Sequence, residues 1–380
     1  MRVRLPDIDS VVQVSSDGRY ILRVFHDASG DAVIFSSEED FEVAYEPDGI
    51  AVRTASAVVL AERATGVSIH TVSRYHLIRI GEVPYYGTLV FGSERSGGRL
   101  LVNRLNLDDY LAGVLTPELG ERTPEEFEAV KAQAVAARTY ALSHLGQYNG
   151  SHYDLRADVG DQVYVGASKQ RDWVDRAVRE TAGEVLSYGH HLIDAFYHST
   201  CGGYTDAIED IWGGPARPYL TSAPDDTFCV WSRYTEWTEV FDRETLLTNL
   251  NAYRSQTPAA PVGTITTITD IRLKNTTPGG RTVTMVIATP DGEWSITSDQ
   301  IRWALGRPSR PGSILPSSRI ALALTRDPAG NVSGMTVTGS GYGHGIGMCQ
   351  CGMIGRARAG AGYRDILTHY YQGVRVTAVY

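Results

Sequence analysis

Residues Gly113 to Leu142 read GVLTPELGERTPEEFEAVKAQAVAARTYAL. The second half carries the best-signalled helix of the chain. Thr123 fits an N-cap, Pro124 the first helical position, and Glu126 completes a Thr-x-x-Glu capping box. Phe127, Val130, Ala134 and Ala137 then recur at helical spacing. The many alanines predict close packing against a neighbour. Just upstream, LNLDDYLAGVL predicts a short helix with Asn106 as its N-cap. TPELGER is thereby read as a short connection fixed at both ends, and Glu118 lies in it. Such a mount holds a side chain more firmly than a free loop does. Pattern alone favours a solvated turn glutamate, because perturbed carboxylates are rare.

Outward from this stretch, residues 1–100 read as a β-rich N-terminal region. YILRVF, GIAVRT, GVSIHTV and GTLVFGS alternate apolar and polar positions between Gly, Asp and Ser clusters. Downstream, LRADVGDQVYVG reads as a polar loop entering a short strand. A helix is expected from Arg171 to Ala182, with Trp173, Ala177 and Val178 on one face. GEVLSYGHHLIDAFYHS predicts a hairpin turning at Gly189 and His190. TCGGYTDAIEDIWGGPARPYL is long and irregular, and such segments are often functional. Residues 235–305 read as strands with two short helices, one capped by Asp242 and one starting after Thr297, and suggest an inserted subdomain. RIALALTRDPAGNVSGMTVTGSG predicts a hairpin with a Pro-Ala-Gly-Asn turn, and a glycine loop with two helical stretches follows it. The expected class is α+β, with the β-rich region followed by a helix-plus-strand core over 101–380 that carries an elongated cleft.

The 380 residues are 42% apolar and 21% charged, an ordinary globular composition with room for two domains. A net charge of −9 with no basic face argues against a nucleic-acid partner. No apolar run reaches the roughly 18 residues of a transmembrane segment. The opening MRVRLPDIDS lacks the apolar stretch of a secretory signal. The expectation is a chain that stays in the cytoplasm or one trimmed from a longer form.

Two further stretches have chemical content. In GYGHGIGMCQCG, Gly341, Gly343, Gly345 and Gly347 alternate with Tyr342, His344 and Ile346. That density lets a backbone approach a neighbour closely, and the helix after it could offer free N–H groups. No Gly-Lys-Ser/Thr follows, so it is not a phosphate loop. His344 is as suited to bonding a carbonyl as to acting on a ligand. In HSTCGGYT, Cys201 with His198 or His344 could form a Cys–His nucleophile. Cys201, Cys229, Cys349 and His198 supply a Cys₃His metal set, although no Cys-x-x-Cys is present. A Cys201–Cys229 disulfide or free buried thiols are the plainer alternatives.

YLAGVLTPELG, AVKAQAVAARTYAL, DQVYVG, FYHSTCGGYT, WGGPARPYL, GYGHGIGMCQCG and YRDILTHYYQG follow one another in order. That order resembles the stage II sporulation protein D / amidase-enhancer family, from about Leu101 to Tyr380. The resemblance implies a cell-envelope or extracytoplasmic protein that acts on peptidoglycan glycan strands. Members of the sporulation branch are lytic transglycosylases. They cut between N-acetylmuramic acid and N-acetylglucosamine and leave 1,6-anhydro ends. Their catalytic glutamate maps onto Glu118. One carboxyl group suffices if partial burial helps it hold a proton. Arg138, Gln162, Ser199, Thr200, Tyr204, His344 and Gln350 are expected to bind substrate, with Tyr140, Tyr164 and Trp212 as apolar or stacking partners. Asp154, Asp158 and Asp161 could instead position a water and make the enzyme a hydrolase. No cofactor is required, though some sporulation-type members bind zinc. The amidase-enhancer branch implies a rival reading, a non-catalytic activator with a cell-wall amidase as partner. Cys351 stands where the family usually has an aromatic.

Overall fold

The period-two patterning of the first hundred residues forms two sheets. In Tyr20–Phe25 every second residue is buried, which pins the register. One sheet has the strand order Leu155–Arg156, Arg2–Arg4, Arg99–Arg104, Thr88–Ser93, Gly66–Thr71, Tyr20–Phe25, Ala32–Ser37. Its neighbours are antiparallel except for the parallel pair Val3↔Leu155 and Arg4↔Arg156. The other runs Val83–Tyr85, Ile78–Ile80, Val11–Ser16, Phe41–Glu46, Gly49–Thr54, Val59–Ala64. The computed structural model describes residues 1–26, 32–257 and 263–379. They form an α+β protein that divides into two units: 1–123 with 133–185 and 377–380, and 124–132 with 186–376.

The first unit adds three helices to its sheets. Helix α1 spans Leu107–Leu119, and Asn106 caps it by accepting from the Asp109 N–H at 2.8 Å, as expected. After a 3₁₀ turn at Pro124–Glu126, α2 spans Phe127–Ser143 and passes from the second unit into the first. Helix α3 spans Asp172–Glu180 and buries Val174, Ala177 and Val178, so Val174 rather than Trp173 joins the buried face.

The second unit opens with the predicted hairpin, where Tyr188 pairs with His191. The short helix α4, Ile208–Ile211, lies within the irregular segment. Helix α5, Arg243–Ser255, is capped by Asp242, and α6 spans Gln300–Leu305. Two antiparallel three-stranded sheets follow: Trp237–Asp242, Val332–Gly339, Ile320–Arg326, and Asp270–Thr276, Thr282–Thr289, Gly292–Thr297. They share a core of Phe241, Leu250, Met285, Trp294, Ile301 and Val337 with α5 and α6. The Pro-Ala-Gly-Asn turn forms as predicted, closed by Asp327 N–H to Asn331 O at 2.9 Å. The glycine loop leads into α7, Gln350–Arg358, and α8, Tyr363–Tyr370.

Candidate functional site

Glu118 does not sit in a connection. It lies half-buried in the last turn of α1, which continues through Pro117. A proline inside a helix lacks an N–H and crowds the carbonyl four residues back. That carbonyl belongs to Gly113, and it accepts from the Val165 N–H at 3.3 Å instead. Gly113 permits this approach: a Cβ there would strike the Tyr164 ring and stand 2.6 Å from the Gly166 oxygen. The helix then stops at Gly120, whose φ of 67° is costly for other residues, with its N–H on Thr116 O at 2.8 Å. Glu118 is thus set on a rigid element, between a packed proline and a glycine stop.

Around α1 in the same unit, the expected substrate contacts Arg138 and Gln162 point inward, correcting the groove-lining expectation. Arg138 is fully buried. Its guanidinium donates to Glu184 O at 3.2 Å and Val178 O at 3.3 Å, which ties down the end of α3. Gln162 is buried too, accepting from the Tyr110 hydroxyl at 3.0 Å and donating to Ala137 O at 3.4 Å. Tyr140 and Tyr164 are core residues, and the Tyr164 hydroxyl donates to Asn103 at 2.7 Å. Asp161 accepts from the Tyr148 hydroxyl at 2.8 Å and the Arg156 N–H at 2.8 Å. Asp154 is bridged to Arg2 at 2.5 Å. Both carboxylates therefore brace their loop. Asp158 accepts from the Gly160 N–H at 2.8 Å.

In the second unit, the glycine loop and HSTCGGYT segment meet through their backbones. Tyr197–His198 pairs in parallel with Met348–Cys349. Thr200 exchanges backbone bonds with Tyr342, at 3.0 and 2.8 Å. Asp206 receives Gly279 N–H at 2.8 Å and sits 3.0 Å from the Arg281 guanidinium, both side chains fully buried. Thr200 is buried with its hydroxyl on Ser232 at 2.8 Å, while Ser199 is half-buried and Tyr204 exposed. Gln350 is buried as the first residue of α7. The N-terminus of α7 is not open: Gly352 N–H donates to Cys349 Sγ at 3.3 Å and Cys351 N–H to Ser199 O at 2.9 Å.

His344 has both ring nitrogens occupied by backbone. Ile346 N–H donates to its Nδ1 at 3.0 Å, so Nε2 carries the proton and donates to Tyr197 O at 3.0 Å. Burial pushes its pKa down to about 4. His198 donates from Nδ1 to Ile346 O at 3.1 Å; its Nε2 is buried with no hydrogen-bond partner among the described residues, and desolvation holds its pKa well below the usual range. Trp212, which is half exposed, lies 4.9 Å from the His344 ring and 4.9 Å from Phe196.

The sulfurs gather as the sequence suggested, but with a different fourth partner. Cys201, Asp225, Cys229 and Cys349 place one ligand atom each within 4.8 Å of one another, and all four are buried. His198 is not of this group; Asp225 takes its place. Four positions before Cys229, in APDDTFC, was its only sequence signal. The cysteines are free thiols. Cys201 donates to Asp225 Oδ2 at 3.1 Å and sits 3.6 Å from Cys229 Sγ. The Cys201 bond holds the Cys229 thiol well below its ordinary range, and burial pushes Cys349 up. Burial also raises Asp225, to about 6. Cys201 is fully buried, unlike the partly exposed thiolates that act as nucleophiles.

A stage II sporulation protein model matches residues 95–188, the stretch that holds Glu118, and a domain of unknown function matches 231–347. Stage II sporulation protein D of Bacillus amyloliquefaciens is 30% identical over 73% of this chain and 75% of its own length. An uncharacterized Brachyspira hyodysenteriae protein is 29% identical over 99% of this chain and 92% of its own. The amidase enhancer of Bacillus subtilis is 28% identical over 66% of this chain, which spans only 38% of that longer protein. No helix among the described residues is long and apolar enough to cross a membrane. By these matches the chain belongs to the stage II sporulation protein D / amidase-enhancer family and has a cell-wall-related role.

Proposed function

We propose that the protein is a lytic transglycosylase that cleaves the bond between N-acetylmuramic acid and N-acetylglucosamine in peptidoglycan, with Glu118 as general acid and base. The observation that carries this reading is the placement of Glu118: half-buried, on the last turn of a helix fixed by Pro117 and Gly120, inside the stretch matched by the sporulation family. Glu118 would protonate the glycosidic oxygen as the bond breaks. It would then take the proton of the C6 hydroxyl as that oxygen closes onto the anomeric carbon. No second carboxylate or cofactor is needed. Asp154 and Asp161 are occupied in bracing their loop, which supports ring closure over attack by a positioned water.

The test uses purified glycan strands and mass spectrometry. Wild-type protein should release fragments with 1,6-anhydro ends. Glu118→Gln should lower that rate by about 10²-fold or more with an unchanged melting curve. Reducing ends in place of anhydro ends would make the enzyme a hydrolase. The amidase-enhancer relative supports a second reading, in which the chain binds glycan and activates a cell-wall amidase without cutting. No cleavage by wild type, together with faster amidase action in its presence, would establish that reading instead.

A further inference from the structure

We propose that Cys201, Asp225, Cys229 and Cys349 bind one zinc ion as a closed structural site within the second unit. The proposal is independent of whether Glu118 cuts glycan. Tetrahedral zinc with Zn–S bonds near 2.3 Å sets its sulfurs roughly 3.8 Å apart. Cys201 and Cys229 lie 3.6 Å apart, close to that edge and far beyond a bonded disulfide's roughly 2.05 Å. Asp225 Oδ2, at 3.1 Å from Cys201 Sγ, supplies the fourth donor, and carboxylate oxygen is an accepted zinc ligand.

The surroundings match what zinc thiolates require. Three backbone N–H groups aim at sulfur: Cys201 at Cys349 Sγ, 3.2 Å; Gly203 at Cys201 Sγ, 3.3 Å; and Gly352 at Cys349 Sγ, 3.3 Å. The other Asp225 oxygen accepts from the Tyr370 hydroxyl at 2.5 Å and lies 3.5 Å from the Arg356 guanidinium. Such outer partners orient ligands and offset their charge. Three thiolates and a carboxylate carry four negative charges; the ion cancels two and Arg356 one more. A Cys201–Cys229 disulfide would use two of the four groups and leave Cys349 and Asp225 buried beside it. There is no slack in the cage either, since a Cβ on Gly352 would collide with Asp225 and the Tyr370 hydroxyl.

The local chain course explains how residues so far apart in sequence converge. The Tyr197–His198 pairing sets Cys349 beside Cys201. Thr205 N–H to Ala223 O and Asp225 N–H to Gly203 O, both at 2.9 Å, lay the 223–225 segment along 203–205. Zinc would tie these three segments together. All four ligands are buried and fill the tetrahedron, so no position is left for water or substrate. The ion's role is to hold the fold.

The test counts metal in the full chain purified under reducing conditions. Elemental analysis should give about one zinc per chain. Cobalt substituted for it should show a thiolate-to-metal charge-transfer band. Chelation should lower the melting temperature, and zinc add-back should restore it. Cys351→Ser should keep the zinc, because that sulfur is outside the group, while Cys229→Ser and Asp225→Asn should lose it. If those variants fail to fold, the wild-type zinc count and cobalt spectrum decide alone. The proposal is overturned if the reduced chain carries and takes up no zinc, if the cobalt spectrum lacks the thiolate band, or if Cys201 and Cys229 are recovered as a disulfide-linked peptide pair.

Discussion

At His344 the backbone has chosen the protonation state. A second proton on Nδ1 would remove the acceptor for Ile346 N–H, and burial opposes the charge as well. The folded pKa of about 4 lies below the ordinary 6.5. Between these values the unfolded chain binds the proton more readily, so the imidazole's contribution is full above 6.5 and is lost as pH falls toward 4. His198, also pushed down, acts in the same direction. Urea midpoints at pH 7.5 and pH 4.5 should therefore fall further for wild type than for His344→Gln, which keeps a donor and an acceptor but no titration. Equal losses in the two proteins would show that this imidazole does not set the acid sensitivity. The expected roles of Arg138 and Gln162 failed for a related reason. A sequence shows that a residue is polar but not which way it faces, and both meet their partners inside.

At the scale of elements, α1 is the informative case. Helices usually end before the residue preceding a proline, which is why the sequence suggested a turn at Thr116–Arg122. The structure keeps the helix because Val165 N–H takes over the Gly113 carbonyl that Pro117 cannot serve. That substitution depends on the missing side chain at Gly113. Gly113→Ala should cost about 1–3 kcal/mol by forcing the 164–166 segment away. Denaturant unfolding would measure it, and the cleavage rate should fall with it as the end of α1 shifts. A variant as stable as wild type would mean that the 164–166 backbone yields easily. Features fixed by local chemistry were legible from sequence: the Asn106 and Asp242 caps, the hairpin at Gly189 and His190, and the turn before Asn331. Features made by contacts distant in sequence were not, and the meeting of Asp225 with the three cysteines is the clearest of these.

Over the whole molecule, the chain leaves the first unit at Thr123, returns at Gln133, leaves again after Val185 and comes back at Thr377. Residues 124–132 are therefore foreign to the stretch that surrounds them in sequence. The buried Glu126 carboxylate accepts from Arg358 at 2.6 and 2.9 Å, and Glu128 accepts from the Tyr363 N–H at 2.9 Å. A fragment of residues 186–376 lacks those partners and should express as poorly folded protein. Fusing residues 124–132 to it through a flexible linker should recover cooperative melting; a fragment that melts cooperatively without them would refute their importance. The same layout has a consequence in time. Arg358 follows Glu126 by 232 residues, so at about 5–20 residues per second its partner leaves the ribosome roughly 12–46 seconds later. Throughout that interval Glu126 and Glu128 wait on the nascent chain for the Arg358 and Tyr363 groups that they bond in the finished fold.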